Sequence, residues 1–276
     1  MKKLLSAVTI CCLAVGLSVA PALAQQTMAN DYNQNTTAQT TNAKFDGQLV
    51  RSSNVVGADL YNSKGGDIGQ VNDVVFDENS GDMTYAIIRA GGWLGIGDKL
   101  TPVKWDAIQL KKKADNEISF MTTLDKTQLT QEKSFDKSSW SDNTASTWVQ
   151  QLPDTQGKKL VRMSSFDDSK LFDQQGNEIG GIKDVVMDAK SGKIAYAVVS
   201  FDDSFINKGD KLTMVPWKLV RQSKKATAGY VLHADKAKLE NATFFAPNEW
   251  PDMHDLTWNK QVYDYYAVSP YYWTGV

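Results

Sequence analysis

The residues of this chain that could carry out chemistry are few and far apart. Only two histidines, His233 and His254, occur in 276 residues, and the two cysteines are Cys11 and Cys12. Two cysteines cannot build a four-cysteine zinc site, and the sequence has no G-x-S-x-G nucleophile elbow. We interpret both histidines as surface residues. The sequence therefore predicts no catalytic residue, no metal and no cofactor.

The glycine-rich stretch 91–97 reads GGWLGIG and invites comparison with a phosphate-binding loop. It lacks the Lys-Ser/Thr ending of a P-loop, and no long helix follows whose N-terminus could hold an anion. The glycines suit a tight connection between strands. If the apolar side chains project, Trp93, Leu94 and Ile96 form a partner-binding surface; the alternative is that Trp93 packs inward.

The acidic segment 77–82, DENSGD, alternates oxygen-bearing side chains as a calcium loop does. It does not continue into the twelve-residue loop with a terminal Glu. The related segment that begins at Asp188 has Lys190 and Lys193 at the corresponding places. We interpret both segments as ordinary turns in which Asp77 and Asp188 accept backbone N–H bonds.

The last 27 residues contain eight aromatic side chains and show no clear helical or strand period. Two interpretations stay open. The segment folds back and buries large apolar area, or it is an exposed docking strip, because Tyr and Trp are enriched at interfaces. The candidate partner-binding residues in it are Trp258, Tyr263, Tyr265 and Tyr266.

The chain begins like an exported protein. A basic start, the apolar run 4–20 and the Ala-Leu-Ala at 22–24 predict a signal peptide, residues 1–24, cleaved after Ala24. Cleavage removes both cysteines and two lysines, so the formal charge moves from −2 to −4, which argues against a nucleic-acid partner. No other apolar run is long enough to span a membrane. We expect a periplasmic or secreted protein with a disordered Gln/Asn/Thr-rich spacer at 25–45.

The remainder of the sequence contains an internal repeat of two copies. Asp73-Val74-Val75 recurs as Asp184-Val185-Val186 at an offset of 111, and later matches, such as Trp105 with Trp217 and Trp140 with Trp250, follow at 112 and 110. Each copy has the size of a small domain. We place the copies at 46–140 and 157–250, a linker at 141–156 and the aromatic tail at 251–276.

Within a copy the pattern is that of short strands and turns. In the first copy, 68–77 alternates imperfectly, which predicts a bulge near residues 70–72, and Gly81 suits a hairpin turn. Strands are predicted at 84–88, 99–103 and 117–121, and a short helix at 125–131. The sequence therefore predicts an all-β fold of two tandem small barrels.

These residues resemble the PRC-barrel family. Its pattern, a G-x-(V/I)-x-D-(V/L)-(V/L)-(I/F)-D strand followed by a Y-A-(V/I)-(V/I) strand, a Gly-rich loop and a strand that ends in Trp, fits 57–105 almost throughout; 169–217 fits in the strands but departs in the loop. The family includes barrels in the photosynthetic reaction centre H subunit and in a ribosome maturation factor. The resemblance implies small β-barrels that bind partners, and it supplies no catalytic motif.

The expected function is therefore non-catalytic binding or scaffolding, with a protein or a cell-envelope component as partner. The alternative is a periplasmic carrier of a hydrophobic or cyclic small ligand held by aromatic residues.

Overall fold

The computed structural model describes residues 48–90, 99–112, 117–137, 140, 151–166, 169–223 and 229–270. All of them belong to one compact unit, Phe45–Val276. They form two eight-stranded sheets with a few short helices, which confirms a mainly β fold. In the described part of the chain, no helix has the length and apolar character needed to cross a membrane.

The strands of the first half are β1 Leu49–Arg51, β2 Asp59–Asn62, β3 Asp67–Asp77, β4 Met83–Arg89, β5 Lys99–Lys104, β6 Ile108–Lys112, β7 Ile118–Thr122 and β8 Phe135–Asp136. The strands of the second half are β9 Leu160–Arg162, β10 Lys170–Phe172, β11 Glu178–Asp188, β12 Lys193–Phe201, β13 Leu212–Pro216, β14 Val220–Gln222, β15 Tyr230–Leu232 and β16 Phe244–Phe245. The helices are α1 Ser52–Val55, α2 Lys126–Gln131, α3 Lys236–Glu240 and α4 Leu256–Tyr266.

The two sheets have the same strand order. One runs β6-β7-β2-β3-β4-β5-β8 and the other runs β14-β15-β10-β11-β12-β13-β16. Neighbouring strands are antiparallel except for β2 with β7 and β10 with β15, which are parallel. The central strands are rich in β-branched residues and are buried on both faces. Ile87 and Ile88 are adjacent and point to opposite faces, and both are fully buried because the sheet is covered on both sides.

The long hairpins follow the local signals in the sequence. The register of β3 against β4 shifts between Val71 and Asp73, which confirms the predicted bulge. Gly81 turns the chain with a φ of 75°. A side chain at Gly69 would place its Cβ 2.5 Å from the Arg89 carbonyl oxygen, so this position in β3 needs glycine for the close approach of β4.

Helix α2 begins where the sequence predicts. The Asp125 side chain accepts the backbone N–H of Gln128 at 2.8 Å, and the Gln128 side chain accepts the backbone N–H of Asp125 at 2.8 Å. This capping box satisfies two donors that a helix start leaves open. The helix buries Leu129 completely.

The two halves exchange their first strands. Strand β1 pairs with β11 of the second half, with Val50 opposite Met187. Strand β9 pairs with β3 of the first half, with Val161 opposite Phe76. Each eight-stranded sheet therefore contains seven strands of one half and one strand of the other.

The halves also meet directly at their hairpin turns and share one core. The backbone N–H of Met83 donates to the Gly192 carbonyl at 2.7 Å, and that of Ile194 donates to the Gly81 carbonyl at 2.9 Å. Rings from both halves meet in the shared core, where the centroid of Phe76 lies 5.2 Å from that of Phe166. The two copies therefore share one hydrophobic core.

The aromatic tail contains a helix, so the expectation of no helical period was wrong. Helix α4 begins after Asp255, whose side chain accepts the backbone N–H of Thr257 at 2.8 Å. It ends at Ala267, which adopts a left-handed conformation. The helix packs on β13 of the second sheet, and its inward face includes Tyr263 and Tyr266.

Candidate functional site

A buried carboxylate holds the exchanged strand β9 in the first sheet. Asp73, 1% exposed, accepts the Ser164 hydroxyl at 2.5 Å, the Ser164 backbone N–H at 3.1 Å and the Trp140 indole N–H at 3.1 Å. The Arg162 Nε lies 3.9 Å from the same carboxylate. Buried charge needs this many donors to offset its lost hydration.

The second half has the same arrangement around Asp184. This carboxylate accepts the Ser52 hydroxyl at 2.6 Å, the Ser53 hydroxyl at 2.8 Å and the Arg51 Nε at 2.9 Å. These side-chain donors all come from the start of the first half, and the backbone N–H of Val185 adds a bond at 2.8 Å. The guanidinium of Arg51 also lies 3.7 Å above the Trp250 ring, as Arg162 lies 5.1 Å from the Trp140 ring.

These two exchange clusters, named here for Asp73 and Asp184, are built for holding strands. In both, hydrogen bonds from serine side chains occupy the carboxylate oxygens, joined by the Trp140 indole at Asp73 and by the Arg51 guanidinium at Asp184. The signal that predicts them is Leu-Val-Arg, which occurs at 49–51 and again at 160–162 with the offset of 111. Extending the repeat towards the N-terminus would have found the arginines, but not their exchange.

The acidic turns act as turns. The Asp77 side chain accepts the backbone N–H groups of Asn79 and Lys159, each at 3.2 Å. The Asp188 side chain accepts those of Lys190 and Ser191, also at 3.2 Å. The turn interpretation is thereby confirmed. Among the described residues there is no group of three or more His, Cys, Asp or Glu side chains placed to hold a metal ion.

Two of the four predicted tail residues are buried, which corrects their assignment to a docking surface. Tyr263 is 1% exposed; its hydroxyl donates to the Ala195 carbonyl at 2.8 Å, and its ring lies 5.2 Å from the Tyr196 ring. Tyr266 is 6% exposed, and burial raises the pKa of its phenol well above the ordinary value. Both rings stabilise the fold because they bury large apolar area.

The other two tail residues, Trp258 and Tyr265, line an open groove of about 350 Å³ between α4 and the strands β13 and β16, and the largely buried Tyr266 also borders it. Tyr265 is 37% exposed, and its hydroxyl donates to the Lys238 carbonyl at 2.5 Å. The remaining wall is largely apolar and includes Phe245, Pro251 and Met214. The structure thus brings together Trp258 and Tyr265 at one surface. We call this surface the α4 groove.

The predicted loop residues Trp93, Leu94 and Ile96 lie outside the residues that the structure describes. Their assignment to a partner-binding surface stays a prediction.

A larger cleft, of about 900 Å³, was not predicted from the sequence. It lies between the turn after β3 and one end of the second sheet. Its wall includes the buried carboxyl of Glu78, which pairs with the Lys159 ammonium at 2.8 Å, and the side chains of Arg221 and His233. Glu78 and Lys159 come from different halves, and the pairing of β9 with β3 brings them together.

The fold and these sites define a mainly β protein made of two like copies joined by exchanged strands. A family model, the PRC-barrel domain, matches residues 48–118 and 159–239, together more than half of the chain. The chain therefore belongs to the PRC-barrel domain family, with two such domains in tandem. No curated protein shows a significant match.

Proposed function

We propose that this protein acts by binding, without catalysis of its own, as an exported scaffold whose two PRC-barrel domains present one rigid surface to a protein or a cell-envelope component. The observation that carries the proposal is the use made of the buried acids. Asp73, Asp184 and Asp188 each accept at least three hydrogen bonds from neighbouring residues. Such carboxylates hold the structure together, because donors of the protein itself occupy their oxygens.

The strand exchange supports a scaffold role. Because each sheet contains a strand of the other half, the halves cannot rotate about a linker as independent domains do. A partner that contacts both halves would therefore meet a preorganised surface, which lowers the entropic cost of binding.

The surface that we assign to the partner is the α4 groove, with Trp258 and Tyr265 as its aromatic contacts. Half-exposed aromatic side chains supply large contact area at a small cost in side-chain entropy. A photo-crosslinking residue at the exposed position Gln261, which lines the groove, should give a covalent adduct in intact cells. The same residue at the exposed position Lys111 should not.

The adduct identifies the partner, and a binding measurement with that purified partner then tests the groove. Trp258→Ala and Tyr265→Ala should each weaken binding at least about tenfold, with thermal unfolding measured alongside, whereas Lys111→Ala should not. Equal binding by all variants would exclude the groove as the docking surface.

Export is part of the proposal. The basic start, the apolar run and the Ala-Leu-Ala of residues 1–24 support it. N-terminal sequencing of the protein from the native host's extracytoplasmic fraction should begin at Gln25. Recovery of a chain that retains Met1 in the cytoplasm would contradict it.

A second function, the carriage of a hydrophobic or cyclic small ligand, is supported by the apolar wall of the same groove. A carrier should copurify with its ligand, so native mass spectrometry after gentle purification should show added mass. If the native mass equals that of the protein alone, and the same preparation still binds its partner fully, the result favours the scaffold function.

A further inference from the structure

The cleft of about 900 Å³ is more than twice as large as the α4 groove. Its size is that of a small-molecule site. The first half contributes the turn after β3, and the second half contributes Lys159, the turn after β10 and the ends of β14 and β15. The side chains that matter for chemistry are Glu78, Lys159, Phe172, Arg221, Val231 and His233.

Glu78 is an unusual residue for a turn. It is only 4% exposed, its Oε2 is bonded to the Lys159 ammonium at 2.8 Å, and its Oε1 has no hydrogen-bond partner among the described residues. Burial, and then the negative charge of Glu78, raise the pKa of the neighbouring Tyr230 phenol above its ordinary value. A buried carboxylate with an unsatisfied oxygen costs stability, so its presence calls for an explanation.

The internal repeat shows what the fold itself requires at these positions. Arg221 in β14 lies opposite Val231 in β15, just as Gln109 in β6 lies opposite Met121 in β7, so Arg221 and Gln109 occupy equivalent positions. The strand registers give the other equivalent positions in the same way. The ionisable residues Glu78, Lys159, Arg221, Tyr230 and His233 correspond in the other half to Ala189, Gln48, Gln109, Phe120 and Thr123.

Every ionisable group of this set is thus replaced by an uncharged residue at the symmetry-related place. The same backbone is built there without them, so folding does not require the charges. Of these groups Glu78 is a buried charge, which lowers stability unless it is compensated or used, so the difference between the halves indicates a binding role.

The charges of the cleft favour an anion. The Glu78 charge is paired with Lys159, and both oxygens of Asp173 accept hydrogen bonds within its own turn, from the backbones of Gln175 and Asn177 and from the Asn177 amide. Arg221 brings a positive charge to the cleft, and among the described residues its guanidinium donates to the carbonyl of its neighbour Val220, at 2.7 Å.

We propose that the cleft binds a small organic carboxylate, with the carboxylate on Arg221 and Lys159 and the apolar part of the ligand against Phe172 and Val231. An arginine side chain matches a carboxylate with two parallel hydrogen bonds. Glu78 acts as a positioning residue that fixes Lys159 at the cleft wall. The inference goes beyond the scaffold role and uses a different surface.

The test is calorimetric titration of the full chain with three probes, namely 2-naphthoate, 2-naphthyl phosphate and the uncharged 2-naphthol. We expect saturable binding of 2-naphthoate at millimolar concentration, with 2-naphthol at least about tenfold weaker. Arg221→Gln, which installs the residue of the other half, should weaken 2-naphthoate about tenfold. The control Lys211→Gln removes an exposed charge that does not line the cleft and should leave binding unchanged.

Equal affinity in wild type and Arg221→Gln, equal affinity for 2-naphthol, or no saturable binding of 2-naphthoate would each overturn the proposal. Binding of the phosphate without the carboxylate would overturn the assignment to carboxylates. Glu78→Ala gives an independent reading, because loss of 2-naphthoate affinity with unchanged thermal unfolding is expected only if Glu78 positions Lys159. Crosslinking at Gln261 reports on the scaffold role separately, so either proposal can fail alone.

Discussion

The two halves cover the same face of their sheets with different segments. In the first half, residues 151–156 of the linker, which we call the connector, pack there: the Tyr85 hydroxyl donates to the Pro153 carbonyl at 2.8 Å, and Leu152 is buried beside it. In the second half, α4 takes this place, and the equivalent Tyr196 hydroxyl donates to the Asn259 side chain at 2.7 Å. The tail thus does for the second sheet what the connector does for the first.

This comparison changes the meaning of the aromatic tail. Its conspicuous composition suggested a docking strip, but half of its candidate residues serve the fold. The partly exposed aromatic residues of α4, Trp258 and Tyr265, and not the buried ones, are therefore left for interaction.

Among the variants that test this comparison, Tyr263→Ala should have the largest effect on stability. Removing a fully buried ring and its hydrogen bond to Ala195 should lower the free energy of unfolding by about 4 kcal/mol. Leu152→Ala, which removes cover from the first sheet, should cost about 2 kcal/mol because the side chain is smaller. Urea denaturation measures both. A loss below about 1 kcal/mol at Tyr263 would mean that α4 does not contribute to the core.

The exchange clusters come next. Asp73→Ala should lower the free energy of unfolding by about 3 kcal/mol, because it leaves the largely buried Arg162 without its carboxylate. Asp184→Ala should cost less, about 2 kcal/mol, since Arg51 is more exposed. Both variants should unfold in one transition by circular dichroism and fluorescence, since the halves share strands. Two separate transitions would show that the halves unfold independently.

Features that depend on neighbouring residues alone could be predicted from the sequence. Examples are the bulge at residue 72, the turn at Gly81 and the start of the helix at Asp125. The exchange of β1 and β9 could not be predicted, because each strand has three residues and either half offers an equivalent partner. Helix α4 was missed although Trp258, Val262 and Tyr266 recur at intervals of four and Asp255 precedes them as a cap.

The candidate site was only partly predictable for a related reason. Aromatic composition identified Trp258 and Tyr265, but burial, which depends on tertiary packing, separates them from Tyr263 and Tyr266. The cleft residues Glu78 and Arg221 lie more than a hundred positions apart, and only the fold places them together.

The two halves also differ at Tyr230, whose equivalent in the first half is Phe120. The folded state raises the Tyr230 pKa, so above the ordinary tyrosine pKa of about 10 the unfolded chain ionises while the folded one stays neutral. Stability is therefore present below that pH and is lost above it, by about 1.4 kcal/mol per pH unit for one tyrosine. Tyr230→Phe should reduce this alkaline loss in urea denaturation; an unchanged slope would contradict it.

Exchanging the charged pair for its counterpart should have little effect on folding. The double variant Glu78→Ala, Lys159→Gln installs the residues of the other half, and its free energy of unfolding should lie within about 1 kcal/mol of wild type. Thermal and urea unfolding check this. A loss of more than about 2 kcal/mol would mean that the pair is structural and would weaken the argument for the cleft.

The smallest effect is expected at a surface ion pair that only the first half has. Lys104 contacts Asp154 at 2.7 Å, and the equivalent of Lys104 is Pro216. The contact raises the Lys104 pKa and lowers the Asp154 pKa, but both side chains are exposed and salt screens such pairs. Lys104→Gln should leave the thermal midpoint unchanged at physiological salt; a clear drop would show that the connector depends on this contact.

The exchange of first strands has a consequence for biosynthesis. A ribosome makes β1 long before β11 exists, and β3 waits for β9 until residue 162 has been added. A half-made chain therefore carries a free strand and an open sheet edge that match those of any other half-made chain. A product truncated after the first half would be expected to pair with a second copy of itself, and the tandem gene avoids this by supplying both halves in one polypeptide.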